Sequence, residues 1–386
     1  MVSLLLAIIY LSFISLGLPD SLLGSAWPVM RLEFGVAVSY AGIISMIIAG
    51  GTIISSLMSD RLTKKMGTGL VTAVSVGLTA VALFGFSISH CFLSLCLWAI
   101  PYGLGAGAVD ASLNNYVALH YSSRHMSWLH AFWGVGVSIS PYVMGYCLSN
   151  KLGWSMGYRS IAVIQIILTV MLFCSVALWK RESNETGEVS SKPVTLKSAI
   201  KINGVTFVLI TFFAFCSFEA TAGLWASSYM VEARGVDAET AARFASLFYL
   251  GETVGRFLNG FVADKLGDRK MISVGIWVML AGTVMIILPL GVNFVALLGL
   301  VVIGFGAAPV YPCIIHSTPY NFGKENSQAL VGIQMASAYV GTTFMPPLFG
   351  LIAQYISISL YPYYLGIFAL LMLFMTKATW KKLGDC

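Results

Sequence analysis

The stretch Gly260-Phe261-Val262-Ala263-Asp264-Lys265-Leu266-Gly267-Asp268-Arg269-Lys270 joins two long apolar runs, 242–262 and 271–290. It has a counterpart near the start of the chain. Asp60-Arg61-Leu62-Thr63-Lys64-Lys65 follows the apolar run 39–58, and Asp60 precedes Asp264 by 204 residues. Two further pairs keep nearly the same offset. Pro141 and Gly145 match Pro346 and Gly350 at 205 residues, while Asp20 and Gly24 match Glu219 and Gly223 at 199. Three motifs in the same order at nearly one offset identify a chain built from two repeats.

The composition names the solvent. Of 386 residues, 58 % are hydrophobic and only 10 % are charged, with a mean hydropathy of +0.85. A water-soluble globule carries about a quarter charged residues, and no water-facing particle of this size hides so much apolar surface. Hydrocarbon is therefore the main solvent. Twelve apolar runs are long enough to span a bilayer: 4–30, 39–58, 69–88, 92–119, 129–149, 160–179, 203–231, 242–262, 271–290, 294–316, 327–353 and 358–376. They lack the two-residue alternation of a barrel, so the expected fold is an all-α membrane protein of twelve transmembrane helices. The first span has no basic leader and no small-residue cleavage site, and it is expected to be retained. Seven cysteines fall singly, with no CxxC pair and no Cys/His ligand spacing, so neither a metal nor a disulfide framework is expected.

Charge placement sets an orientation. Sixteen of the 22 basic residues lie in the loops that share a side with both termini, five lie on the other side, and Arg256 lies within a span. The positive-inside rule puts both termini in the cytoplasm. The net charge of +6 is then a matter of topology, and no nucleic-acid partner is expected. Residues 181–201, RESNETGEVSSKPVTLKSAIK, have a linker composition. They divide the chain into an N-terminal six-helix bundle, 1–180, and a C-terminal one, 202–386, related as parallel repeats about an axis along the membrane normal.

The quoted stretch resembles the signature of the major facilitator superfamily: a Gly, three residues, Asp, Arg or Lys, then Gly and further basic residues. The copy at Gly260, Asp264, Gly267 and Arg269 is complete. The first copy, at Asp60 and Arg61, has Ser56 and Thr63 where glycines are usual. The physical reading is a gate. Gly260 permits close helix packing, and Asp264 suits a neighbouring helix end or a basic partner. An acid inside a basic loop adds nothing to topology, which favours a gate over simple orientation.

Carboxylates inside spans cost on the order of 3 kcal/mol even on lenient insertion scales, so each is a functional candidate. There are four: Asp20, Asp110, Glu219 and Glu252. Glu252 stands one turn before Arg256, an i,i+4 pair that serves either gating or helix packing. Asp20 shares helical spacing with Gly17, Gly24 and Trp27; Asp110 shares it with Gly103, Gly107 and Asn114, beside Asn115. Both faces read as cavity walls around a protonatable acid. A neutral carboxyl hydrogen-bonded between helices is the competing reading, and for Glu219 it weighs as much as a substrate contact.

Within the superfamily, the chain resembles the fucose/hexose–proton symporter group. The likeness rests on Asp20, on Asp110 with Asn114-Asn115, on Leu129-His130-Ala131-Phe132-Trp133-Gly134-Val135-Gly136 leading to Pro141, and on Gly255-Arg256 ahead of Gly260. It implies proton coupling and sugar binding at Asp20 and Asp110. The fourth span lacks the arginine typical of drug–proton antiporters. Sugar recognition requires amides or carboxylates for hydroxyls and an aromatic face for the ring. The candidates are Asp20, Trp27, Asn114, Asn115, His130, Glu219, Tyr311 and Gln334. His130 sits near an expected helix end, where snorkelling towards the interface is the commoner role. The expected function is proton-coupled uptake of a neutral sugar or similar small polar solute by a monomer in the cell membrane. The alternative is a proton-coupled exporter of drug-like or hydrophobic compounds. Paired catalytic groups and a Walker motif are both absent, so neither an enzyme nor a cofactor is expected.

Overall fold

The computed structural model describes residues 2–37, 39–179, 196–288 and 293–384. Of the expected linker, residues 181–195 lie outside the described residues. In chain order the α-helices are α1 Val2–Asp20, α2 Leu22–Glu33, α3 Tyr40–Met66, α4 Thr68–Ser87, α5 Phe92–His120, α6 Ser123–Ser149 and α7 Gly153–Ser175. They continue as α8 Leu196–Ala199, α9 Val205–Glu232, α10 Ala238–Leu266, α11 Asp268–Ile287, α12 Asn293–Ala307, α13 Val310–Phe322, α14 Lys324–Ile352 and α15 Tyr361–Lys382. No strand occurs among the described residues.

By length and composition, ten helical segments are able to cross a bilayer among the described residues. One of them, Lys324–Lys382, contains both α14 and α15. Helix α10 is absent from that set. It is 29 residues long but carries Glu252, Arg256, Asp264 and Lys265. Two expected spans, 4–30 and 294–316, each correspond to two consecutive helices. The breaks fall at Ser21 and at Ala308–Pro309.

The repeated signature is not a loop. Asp60–Lys65 and Asp264–Lys265 lie in the last turns of α3 and α10, and a single glycine separates each helix from the next. Gly67 and Gly267 have the same backbone angles, φ 79° and ψ 154°, in a region that side chains avoid. Counted from the signature acid, Thr63 stands where Gly267 does. Threonine stays helical there, and α3 continues to Gly67, one turn further. That is why the acids are 204 residues apart and the helix-ending glycines 200.

The chain forms two compact units. The first comprises Met1–Tyr116 and Leu129–Val194; the second comprises Val117–Trp128 and Thr195–Cys386. In the first, α4 and α1 pack on α7. Its core includes Leu22, Met30, Ile44, Phe86 and Tyr158. In the second, α9 packs between α14 and α15, and α12 lies against α10 and α11. The short segment Val117–Trp128, the end of α5 and the start of α6, belongs with these helices.

Candidate functional site

In the first unit, Asp20 is the last residue of α1 and its side chain is exposed. Trp133 Nε1 donates to its Oδ2 at 2.9 Å, and Tyr102 Oη donates to its Oδ1 at 3.2 Å. A carboxylate accepts about four hydrogen bonds, so each oxygen keeps room for another donor. The aromatic partners are thus Trp133 and Tyr102 and not Trp27. Trp27 is 5 % exposed, packed in the core and edge-on to Phe92. Asp20 is exposed where Trp27 is buried, so the two do not present one open face. Ser21 is held by bonds to Val137 O and Ser140 Oγ, both at 2.7 Å.

The glycines also divide. A Cβ on Gly24 would meet nothing within 4 Å, which leaves open space there. On Gly17 it would lie 2.2 Å from Trp133 O, and on Gly103 and Gly107 it would lie 2.2 and 2.1 Å from Ile48 O and Thr52 O. These three are points of close backbone approach, not cavity walls. Asp110 is accordingly buried, at 8 % exposure. Asn114 Nδ2 donates to Asp110 Oδ1 at 2.8 Å, and Asn114 Oδ1 meets His130 Nε2 at 3.0 Å. Asn115 is buried beside them. His130 does not snorkel: it is 6 % exposed and edge-on to Phe13. The reason is that α6 begins at Ser123, almost two turns before the expected span, so His130 lies inside the helix.

In the second unit, Arg256 joins two acids. Its Nη2 lies 3.1 Å from Glu219 Oε1 and also contacts Glu252 Oε1. Glu252 and Arg256 are 4 % and 3 % exposed. Two carboxyls therefore share one guanidinium, and the cluster offers no spare positive charge. Tyr311 packs against Phe212 with centroids 4.6 Å apart and donates to Met335 Sδ at 3.0 Å. Gln334 is buried and accepts from Thr318 Oγ1 at 3.1 Å. In this conformation it ties α13 to α14.

At the complete signature, Asp264 caps the N-terminus of α6. Its Oδ2 accepts from Ser122 Oγ at 3.0 Å, its Oδ1 accepts from the Arg124 backbone N–H at 3.1 Å, and Arg124 Nε lies 3.4 Å from Oδ2. An anion at the four unsatisfied N–H groups of a helix start is favoured by the helix dipole. Gly260 lies under Trp128, where a Cβ would come 2.1 Å from Nε1. Trp128 Nε1 donates to Phe257 O at 3.1 Å, and Arg124 Nε donates to Gly260 O at 3.1 Å. Arg269 faces elsewhere, lining a small pocket with Val208, Ser317 and Trp380. In the degraded copy Asp60 is buried and pairs with Lys64 at 3.0 Å, while Arg61 is exposed.

Sequence reasoning missed four residues here. Tyr102 and Trp133 hold Asp20; Asp268 and His316, 2.7 Å apart, lie beside the Asp264 cap. An ionisable side chain in the apolar run 294–316 was a usable signal for His316. For Tyr102 the signal was weaker, its place next to Gly103 on the helix of Asp110.

The model of the Major Facilitator Superfamily matches residues 9–245 and 207–381, nearly the whole chain. The chain belongs to this superfamily. It is an all-α, multi-pass membrane protein. Among the relatives of this major facilitator, Bypass of stop codon protein 6 of Saccharomyces cerevisiae is 22 % identical over 284 residues, 67 % of this chain and 56 % of the yeast protein. The cis,cis-muconate transport protein of Acinetobacter baylyi is 23 % identical over 261 residues, 62 % of this chain and 61 % of its own length. The chain thus spans less than two thirds of these two curated relatives. Among solved structures, FucP, the Escherichia coli fucose:proton symporter, has a TM-score of 0.78 at 14 % identity, covering 96 % of this chain and 98 % of that one. The proton:xylose symporter XylE reaches 0.80 at 12 % identity, over 98 % and 95 %. Both are likenesses of fold.

Proposed function

We propose that this major facilitator imports a neutral sugar or a similar small polar solute together with a proton, by alternating access. It works as a monomer in the cell membrane, with both termini in the cytoplasm and the linker 181–201 joining two six-helix bundles. The observation that carries this reading is Asp20: an exposed carboxylate at a helix end, held by the indole of Trp133 and the phenol of Tyr102. Such a group accepts hydroxyl hydrogen bonds while the rings offer apolar surface to a sugar's C–H face. The Asp110–Asn114–His130 chain behind it supports proton handling.

Charge counting supports a neutral cargo. The first unit's cluster presents two acids, and in the second both faces of the count are Glu219 and Glu252 against Arg256 alone. At these two clusters an anion such as a dicarboxylate would meet acids and one guanidinium already shared by two carboxyls. Sugar symporters among the structural neighbours agree with this reading. A ligand-stabilisation screen of the purified protein, sugars against drug-like cations and dicarboxylates, identifies the cargo class. Uptake into proteoliposomes then tests the coupling: accumulation should collapse with a protonophore, and undiminished accumulation would reject proton coupling.

A further inference from the structure

His316, on α13, has both ring nitrogens engaged. Nδ1 lies 2.7 Å from Asp268 Oδ2 at the start of α11, and Nε2 lies 3.1 Å from the main-chain oxygen of Tyr121. A main-chain carbonyl only accepts hydrogen bonds, and so does an ionised carboxylate. A neutral imidazole carries one N–H and can satisfy only one of these contacts. To hold both, the ring needs a second N–H, or the Asp268 carboxyl needs the proton and donates it to Nδ1. In either arrangement the pair holds one proton more than a neutral imidazole beside a carboxylate.

The surroundings are built around that proton. Ser123 Oγ donates to the other carboxylate oxygen, Asp268 Oδ1, at 2.6 Å. The His316 and Asp268 side chains are 20 % and 15 % exposed, a shielded but not sealed position. Of the neighbouring titratable groups, Asp264 on α10 faces His316 and Cys313 on α13 faces Asp268, while Arg124 and His125 on α6 lie beside Asp264. Asp264 and Arg124 are committed to each other and to the start of α6.

We propose that His316 and Asp268 bind a proton that latches the turn Tyr121–Arg124 onto α11 and α13, and that losing this proton releases the turn. Without it, either the Tyr121 carbonyl or Asp268 Oδ2 loses its hydrogen bond to His316. The turn joins α5, which carries Asp110 and Asn114, to α6, which carries His130 and Trp133. The latch therefore acts on the two helices that present the acid cluster, at a proton site separate from Asp20 and Asp110.

Amide hydrogen exchange on the full chain in lipid nanodiscs, with no substrate and no gradient, tests this. After correction for the intrinsic pH dependence of exchange, peptides covering 117–128 should exchange about tenfold faster once the pH is raised through the range in which histidines titrate, as expected for one lost charge-assisted hydrogen bond. His316→Gln should be fast throughout, with no step. Asp268→Asn makes the opposite prediction. Its amide can donate to Nδ1 of a neutral ring while Nε2–H still reaches Tyr121, so protection should persist at every pH. His125→Gln should keep the wild-type step. A flat wild-type profile, a step that survives in His316→Gln, or an unprotected turn in Asp268→Asn would each overturn the latch. If His316→Gln does not insert, the asparagine variant decides alone.

Discussion

Trp133 Nε1 sits 2.9 Å from Asp20 Oδ2, across 113 residues of sequence, and orients the one exposed acid of the first unit's cluster. The same tryptophan's backbone oxygen abuts Gly17, one turn before Asp20. Helix α6 therefore meets α1 through both the main chain and the side chain of a single residue, and the carboxylate is positioned as tightly as the helix contact itself.

Asp20→Ala should weaken substrate binding at equilibrium in detergent, where no gradient exists. Each hydroxyl left unpaired costs about 1–3 kcal/mol, which amounts to at least about a tenfold loss of affinity. Trp133→Phe keeps the carboxylate but removes its donor, so a smaller loss is expected. Calorimetric titration with the sugar found in the stabilisation screen measures both. An unchanged dissociation constant for Asp20→Ala would move this residue out of the binding site.

Asp110→Asn should abolish proton-driven accumulation while sparing counterflow exchange. The amide preserves hydrogen-bonding shape towards Asn114 but does not ionise. Normal uphill transport by the inserted mutant would assign Asp110 to helix packing.

Gly260→Ala should destabilise the second unit by about 1–3 kcal/mol, because the new methyl enters the Trp128 indole and breaks its bond to Phe257. Trp128→Ala should relieve the strain, giving a double mutant more stable than the sum of the two effects, read by thermal unfolding. Strict additivity would mean that the two residues do not press on each other. In the same region, Asp264→Asn should slow transport without loss of insertion, since the cap at Ser122 and Arg124 loses its charge. Full activity would reduce the signature to a topology signal.

Removing Arg256 alone should be severe. Arg256→Met leaves Glu219 and Glu252 facing each other in a buried site, and breaking one side of a buried ion cluster costs about 3–5 kcal/mol. Adding Glu252→Gln should restore part of the yield and melting temperature. Failure of the second change to help would show that Arg256 acts through packing instead of charge.

The membrane class and the all-helical fold were legible in the residues alone. Composition, apolar run length and the cost of a buried carboxylate are properties of the chain that need no neighbour. Even the end of α10 at Gly267 is local, since only glycine accepts that φ without strain. What Asp20 touches was not legible. Its donors come from 82 and 113 residues away, and Trp27, which helical spacing had put beside the acid, is packed in the core. The glycines beside Asp20 and Asp110 read alike in sequence. Only the approach of α3 and α6 separates Gly17, Gly103 and Gly107, pressed against a backbone, from Gly24, which faces open space. His316 depended on tertiary structure most of all. Its two partners lie 48 and 195 residues off, and the proton their contacts require follows from where two acceptors meet one ring, which no one-dimensional pattern encodes.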